Sequence, residues 1–292
     1  MNGLAFQRPG PMPFRLLLDE ALRQARRHFR AIYLQVAIPI VVFSTLIAVI
    51  QALWLSRVLV DKGAVNSTAV TYLLALANFG LLIVAFMAML AGVMDALTGR
   101  AVDMKRAWRF ALQGRVLGTL LLWYGAGIVS LVCCCVPALV LGPSLAFVPV
   151  VMLDEARFGP GSFSRSVELT LYDPERQLLK RPLLKVLLLL VVVLIVSSLL
   201  GLLVALPFQL PMYVDMFRRM ATGEDPMQGA AGWIWLQVPA QFLNALVSTA
   251  VYLYLAFGLG LLFLDTRGRK EGTDLRSEID AVFGGPPPEL PL

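Results

Sequence analysis

Charged residues of both signs follow two of the apolar stretches in this sequence. One group comes directly after Leu264 and the other begins directly after Leu153. Arginine binds carboxylates and phosphates through paired, charge-assisted hydrogen bonds, so these groups favour ion pairing or lipid binding. The acids of the predicted ion-pair cluster are Glu155, Glu168, Asp265 and Glu271. The predicted lipid- or partner-binding bases are Arg23, Arg26, Arg27, Arg106, Arg109, Arg165, Arg267, Arg269 and Lys270.

The residue types needed for catalysis or metal binding are not arranged in a known pattern. The one histidine, His28, has no nucleophile and acid placed around it by sequence, and P-loop, GxGxxG and HExxH patterns do not occur. The cysteines are the adjacent residues 133–135, which suit neither a CxxC metal site nor an unstrained disulfide, and we interpret them as packing residues at a tight turn. We therefore expect no enzyme activity, no metal and no cofactor.

The composition indicates a membrane protein. Of the 292 residues, 58% are hydrophobic and 15% are charged, and the mean hydropathy is +0.76. Soluble chains carry about 45–50% apolar and about 25% charged residues. We expect an all-α, polytopic membrane helical bundle. Nucleic-acid binding is not expected, because the basic residues flank apolar stretches and do not form a soluble basic module.

Long apolar runs predict six transmembrane helices, since a helix needs about 20 apolar residues to cross the hydrocarbon. The predicted spans are about Ala31–Leu55, about Ala69–Met94, two within Val116–Leu153, about Val186–Leu206 and about Trp233–Leu264. This division predicts an N-terminal amphipathic helix over residues 1–30, a membrane domain over 31–264 and a basic, proline-rich tail over 265–292.

The positions of lysine and arginine predict the orientation, because cytoplasmic loops retain these residues. All but four of the 25 fall in the N-terminal segment, the tail and the loops after the second and fourth spans; the exceptions are Arg57, Lys62, Arg218 and Arg219. We expect both termini on the cytoplasmic side of a bacterial cytoplasmic membrane.

Short amphipathic helices are predicted before each pair of spans, near residues 14–30, 104–112 and 162–172. In the third, Phe163, Val167 and Leu171 form the apolar stripe. Such interfacial helices place apolar residues on the membrane and arginine toward anionic lipid. The preferred interpretation is that they are only orientation signals and packing elements, and the alternative is specific lipid or partner binding. The order of one helix and two spans, three times over, favours a threefold repeat.

Polar and helix-breaking residues inside the spans are interpreted first as packing features, namely interhelical hydrogen bonds and a kinked helix. The alternative is a weakly polar cavity. Breaks in membrane helices must be covered by protein or line a cavity, and in transporters they often mark the binding site. The candidate cavity residues are Pro143, Pro149, Asn78, Gln241 and Asn244.

Two motifs resemble a known family. They are Leu264–Leu275 (LDTRGRKEGTDL) and, after Asp154 and Glu155, the stretch Gly161–Leu169 (GSFSRSVEL). Both are similar to the bacterial six-span family described as the membrane domain of glycerophosphoryl diester phosphodiesterases, including its stand-alone relatives. Phe263 stands where that family commonly has tyrosine. The resemblance implies six spans, and we expect neither the catalytic barrel of some members nor its activity.

The leading functional prediction is a non-enzymatic integral membrane subunit or scaffold that organises lipid or a protein partner at the cytoplasmic face. The alternative is a small transporter, channel or lipid-handling protein with a path near the proline-broken fourth span and the polar sixth span. A lipid-active or phosphodiester-active membrane enzyme ranks last. The expected partners are anionic membrane lipids, a membrane or cytoplasmic protein, or a second copy of the chain.

Overall fold

The regular elements in the computed structural model are helices, which confirms the predicted all-α class for the described residues 12–61, 67–133, 135–171, 181–223 and 233–272. The helices are α1 (Phe14–His28), α2 (Leu34–Asp61), α3 (Ser67–Leu97), α4 (Met104–Ala111), α5 (Gly114–Cys133), α6 (Cys135–Ser144), α7 (Val148–Asp154), α8 (Pro160–Thr170), α9 (Pro182–Thr222) and α10 (Gln237–Glu271). A π-helical turn at Phe29–Tyr33 joins α1 to α2.

Four helical stretches are long and apolar enough to cross a membrane, as is typical of a membrane protein. They are Phe14–Arg57, Ala69–Leu97, Pro182–Thr222 and Gln237–Glu271. The two spans predicted within Val116–Leu153 correspond to shorter apolar helices, Gly114–Val129 and Val140–Asp154. Four of the six predicted spans thus have the required length, and the threefold repeat stays a prediction.

The chain divides into two compact units. Unit 1 takes the described residues within Met1–Phe29, Met87–Val192 and Tyr254–Leu292, and unit 2 takes those within Arg30–Phe86 and Val193–Leu253. Within unit 1, small residues bring backbones together: a Cβ atom on Gly260 would lie 2.8 Å from Leu97 Cδ1, and one on Gly258 would lie 2.9 Å from Leu189 Cδ2. These glycines of α10 therefore allow close packing against α3 and α9.

Part of the predicted apolar face of α1 packs against protein, whereas Leu22 of the same face is 44% exposed. Leu17 and Ala21 are fully buried, and Ala25 is nearly so. Alanine at two of these three positions leaves room for a close approach of neighbouring helices. The same holds in α4, where Met104, Ala107 and Ala111 are buried.

Helix α8 buries a polar face, formed by Ser162, Arg165, Ser166, Leu169 and Thr170. This face is held by hydrogen bonds to neighbouring backbone and by ion pairs to carboxylates. In the predicted apolar stripe, Phe163 and Val167 are half-buried and Leu171, which follows the helix, is 55% exposed. The contact of this stripe with the membrane stays a prediction.

The buried hydroxyls of α8 complete a break between α6 and α7. The backbone leaves the helical path at residues 145–147, between Pro143 and Pro149, and proline supplies no backbone donor. Ser166 Oγ donates to the Ser144 carbonyl at 2.7 Å and accepts from Phe147 N at 3.2 Å. Thr170 Oγ1 lies 3.2 Å from the same carbonyl. The backbone groups that lose their helical partners at the break therefore form hydrogen bonds with side chains of α8.

Two helices extend beyond the predicted span ends. Helix α9 continues through Pro207 and Pro211 to Thr222, over 41 residues, although the fifth span was predicted to end at Leu206. Helix α10 continues past Leu264 to Glu271 and is followed by Gly272 with φ of 65°. A glycine with positive φ is a common helix C-terminus, so the first residues of the predicted tail belong to a helix.

We expect Ser166→Ala to lower the free energy of unfolding by about 1–3 kcal/mol, because it leaves Phe147 N buried without an acceptor. Denaturant unfolding of the purified protein in detergent measures the change. The matched control is Ser164→Ala, an exposed serine of the same helix, which should have little effect. Equal losses in both variants would contradict this role of the Ser166 hydroxyl.

Candidate functional site

A buried arginine lies at the centre of a cluster of carboxylates in unit 1. Arg165 Nε donates to Glu155 Oε1 at 2.9 Å and to Oε2 at 3.1 Å, and Nη1 donates to Glu168 Oε2 at 3.3 Å. Arg165 Nη2 donates to Glu271 Oε1. The side chains of Arg165 and Glu155 are only 10% and 8% exposed. Buried charges persist when they are paired and hydrogen-bonded, and this arginine meets that condition.

Three separate helices and a strained turn position these groups. Glu155 follows α7, Arg165 and Glu168 lie one turn apart on α8, and Glu271 is the last residue of α10. The turn between α7 and α8 contains Ala156 with φ of 51°, a left-handed conformation that alanine rarely adopts. This turn reverses the chain and brings Glu155 back to Arg165.

Further ion pairs surround this centre. Arg267 pairs with Asp154 and, at 2.8 Å, with Glu271, while Lys270 pairs with Glu168. Arg157 pairs with Glu155 at 3.2 Å. We call the following eight residues the Arg165 cluster. They are the acids Asp154, Glu155, Glu168 and Glu271 and the bases Arg157, Arg165, Arg267 and Lys270, whose formal charges sum to zero.

The surroundings shift three pKa values in the Arg165 cluster. Burial opposes the charged form of Glu271, but hydrogen bonds and attraction from Arg267 and Arg165 outweigh it and lower the pKa of its carboxyl. Burial opposes the charged form of Arg165, but hydrogen bonds and attraction from Glu155 and Glu168 outweigh it and raise the arginine's pKa. A hydrogen bond from Lys270, assisted by one from Arg165, holds the pKa of the Glu168 carboxyl below its ordinary value despite some desolvation. All three shifts favour the charged states of Arg165, Glu168 and Glu271.

A second ionic group lies around Lys185, which the sequence analysis treated only as a flanking charge. Lys185 is 2% exposed, its Nζ donates to the Met12 carbonyl at 2.7 Å, and Asp265 Oδ2 lies 3.8 Å away. Asp265 also accepts from Arg269 at 2.7 Å and from Met12 N at 3.3 Å. Asp265 and Arg269 thus belong to this group and not to the Arg165 cluster. The sequence feature that could have indicated this group is a lysine placed directly before a long apolar run.

The predicted binding bases fall into three environments. Arg165, Arg267, Arg269 and Lys270 are engaged in the ion pairs described above. Arg23 pairs with Glu20 on α1. The exposed bases are Arg26, Arg27 and Arg109. Arg106 is different, because it lines a cavity.

That cavity, which we call the Asp95 pocket, has a volume of about 260 Å³ and lies in unit 1. Asp95 is buried, and its Oδ1 accepts from Arg106 Nη2 at 2.5 Å. Asp154 connects the pocket to the Arg165 cluster. The lining residues are Ala91, Met94, Asp95, Thr98, Arg100, Arg106, Ala107, Phe110, Leu153 and Asp154. The pocket therefore combines two acids and two arginines with an apolar wall.

A second cavity, which we call the amide cavity, lies in unit 2 and has a volume of about 330 Å³. Asn78 and Gln241, two of the candidate cavity residues, line it. Pro143 and Pro149 belong to unit 1 and do not line it, because Ser166 and Thr170 cover the break that these prolines create. Asn244 is not among its lining residues; it lies beside Gly201, where a Cβ atom would be 3.6 Å from Asn244 Oδ1.

Neither a metal centre nor a relative identifies the site. Among the described residues, no group of three or more histidine, cysteine, aspartate or glutamate side chains is placed to hold a metal ion. Cys133 ends α5 and Cys135 begins α6, while Cys134 lies outside the described residues. Comparisons with known protein families, curated proteins and solved structures found no match to this chain. The family resemblance of the two motifs stays a prediction.

We expect Arg165→Gln to lower the free energy of unfolding by about 3–5 kcal/mol, because it leaves the Glu155 charge buried with only a peripheral partner. Arg157→Gln is the matched control: it removes a pair to the same carboxylate from a side chain that is 56% exposed. Its cost should be at most about 1 kcal/mol. Thermal or denaturant unfolding in detergent compares the two. Similar losses, or no recovery when Glu155→Gln is added to Arg165→Gln, would contradict the central role of this pair.

The lowered pKa of Glu168 predicts a pH-dependent contribution to stability. The carboxylate is stabilised in the folded state, so its contribution is full above its unfolded pKa of about 4.3 and is lost as the pH falls through the lower folded value. The difference in Tm between the wild type and Glu168→Gln should therefore be largest above about pH 5 and shrink on acidification. A difference that is constant from pH 7 to pH 3 would contradict the assignment.

Proposed function

We propose that this chain is a non-enzymatic integral membrane protein of the bacterial cytoplasmic membrane that binds phospholipid headgroups at its cytoplasmic face and acts as a lipid-organising subunit or scaffold. The observation that carries the proposal is the Asp95 pocket, where arginines lie beside an apolar wall. The ligand class is an anionic phosphate headgroup with the first carbons of its acyl chains.

Arg100 supplies the unpaired cationic group for this ligand. It lines the Asp95 pocket and is exposed, and its side chain has no hydrogen bond or ion pair within the described part of the chain. Arg106 contributes Nη2 to Asp95, which leaves further guanidinium donors for a ligand oxygen. Arginine matches phosphate geometry through two parallel hydrogen bonds. Two arginines at one pocket can therefore hold one phosphate.

The walls of the pocket fit the remainder of a phospholipid. Ala91, Met94 and Leu153 form apolar surface next to the arginines, and a phospholipid presents its phosphate and its acyl chains in the same order. The two carboxylates limit the affinity for an anion, but each has an arginine partner, Arg106 for Asp95 and Arg267 for Asp154. The arginines with free donors, Arg100 and Arg106, therefore make the pocket prefer an anionic group.

The distribution of basic residues supports the cytoplasmic placement of the pocket. Arg100, Lys105, Arg106 and Arg109 follow α3, and lysine and arginine concentrate on the cytoplasmic side of membrane proteins. We propose that α5, α6 and α7 cross and return, which gives six spans. Both termini are then cytoplasmic. They are also cytoplasmic if α5, α6 and α7 enter the membrane from the cytoplasmic side and return to it without crossing.

The state of the acids supports a binding role over a catalytic one. General acid–base catalysis needs a carboxyl group that is free to exchange a proton with the substrate. The acids of the Arg165 cluster each hold an arginine or lysine. This arrangement suits a rigid support for the Asp95 pocket, with which the cluster shares Asp154.

Lipid retention by Arg100→Gln tests the proposal. The full chain is placed in nanodiscs of phosphatidylethanolamine and phosphatidylglycerol and is then released from them for native mass spectrometry. We expect the wild type to retain bound phosphatidylglycerol. Loss of one base near the membrane surface removes about 1 kcal/mol of attraction, which is about a fivefold drop in occupancy at limiting lipid. Arg100 is chosen because its removal leaves no buried acid unpaired.

The control is Lys105→Gln, an exposed base of α4 outside the pocket. It should change the general attraction to anionic membranes but not the number of lipids retained. Failure of the wild type to retain phosphatidylglycerol, or equal losses in both variants, would refute the proposal. Exclusive retention of phosphatidylethanolamine would also refute the anionic ligand.

A further inference from the structure

The amide cavity of unit 2 is lined by neutral hydrogen-bonding side chains from three helices. Ser44 and Gln51 lie on α2, Asn78 lies on α3, and Gln237 and Gln241 lie on α10. All three helices are apolar enough to cross a membrane. Gln51, Asn78 and Gln241 are half-buried, whereas Gln237, the first residue of α10, is exposed. Half-buried carboxamides among such helices require a physical explanation, because apolar surroundings penalise unpaired amides.

Most of these amides have no hydrogen-bond partner among the described residues. Ser44 Oγ donates to Asn78 Oδ1 at 2.8 Å, which fixes the orientation of that side chain. The Asn78 nitrogen and the amides of Gln51, Gln237 and Gln241 form no hydrogen bond with any other described residue. Each glutamine amide offers two donor hydrogens and an acceptor oxygen. The cavity therefore presents both donors and acceptors to an occupant.

The chemistry of the lining excludes a charged occupant. None of the ten lining residues is an acid or a base. A charged group in such surroundings would have no counter-charge and would pay a large desolvation cost. An uncharged group that both donates and accepts hydrogen bonds pays no such cost.

The apolar part of the lining indicates the shape of the occupant. Ile47, Ala48, Phe79 and Leu82 lie beside the amides, so the occupant has an apolar side as well as polar edges. A sugar ring or a glycerol unit has both, with hydroxyl groups at the edges and C–H groups on the faces. The volume of about 330 Å³ lies within the usual range for small-ligand sites and suits one such group.

We propose that the amide cavity binds an uncharged polyhydroxyl group, either the sugar headgroup of a neutral lipid or the same group in a free polyol. Gln241, Gln237 and Asn78 bind its hydroxyl groups, and Phe79 packs on its apolar face. This site is separate from the Asp95 pocket in residues, unit and ligand charge, so either proposal stands if the other fails.

Native mass spectrometry of the full chain tests the site with three probes. Nanodiscs of phosphatidylcholine are prepared with glucosyl diacylglycerol, with plain diacylglycerol, or with methyl glucoside in the buffer. We expect one glucosyl diacylglycerol to remain bound to the wild type. Each hydrogen bond removed should lower retention about fivefold, so Gln241→Leu and Gln237→Leu each lose about that factor.

The matched control is Asn244→Leu, an amide on the same helix that does not line the cavity, and its retention should equal that of the wild type. Asn78→Leu also removes the Ser44 hydrogen bond, so its interpretation requires an unchanged unfolding transition, whereas the glutamine variants have no partner to lose. Retention of methyl glucoside that depends on Gln241 would support the site with a free polyol as its source. Equal retention of glucosyl and plain diacylglycerol, or an equal loss in Asn244→Leu, would overturn the proposal.

Discussion

The buried guanidinium of Arg165 is stable only because carboxylates from three parts of the chain reach it. Glu155 follows α7, Glu168 shares α8 with the arginine, and Glu271 ends α10. An arginine cannot lose its charge in a protein, so these acids have to remain ionised and close. The requirement fixes the end of α10 against the turn that follows α7. It also explains why α8 buries a polar face. Arg165 needs carboxylate partners, whereas the apolar residues of α8 need no specific partner.

The two units accommodate polar groups among apolar helices in different ways. Unit 1 pairs many of its charges with one another, in the Arg165 cluster and in the group around Lys185. Within the described part of the chain, the side chain of Arg100 at the Asp95 pocket has no such partner. Unit 2 has a neutral serine and carboxamides at its cavity, and most of these groups bond to nothing within the described protein. Fully paired groups hold a structure together, whereas unpaired ones are available to a ligand. The proposed binding sites follow from this distinction.

Sequence reasoning predicted the features that depend on composition and missed those that depend on pairing. Apolar length alone identified the four long spans, and the neutral polar residues pointed to Asn78 and Gln241 at a cavity. Hydropathy gave no indication of the buried polar face of α8, which is held by hydrogen bonds to Ser144 and Phe147. The sequence grouped Asp265 with Glu271, although they are six residues apart on α10 and face different partners. No local pattern indicates that Lys185 meets the carbonyl of Met12, since such contacts are set by tertiary packing.

The break between α6 and α7 has a consequence for biosynthesis. The Ser144 carbonyl and the Phe147 amide at the break form hydrogen bonds with the Ser166 hydroxyl. Ser166 is translated 19 residues after Phe147. At about 5–20 residues per second, the ribosome supplies that hydroxyl roughly one to four seconds later. During this interval these backbone groups lack their protein partner, and apolar surroundings penalise such groups. We therefore expect α6 and α7 to reach their final packing only once α8 has emerged.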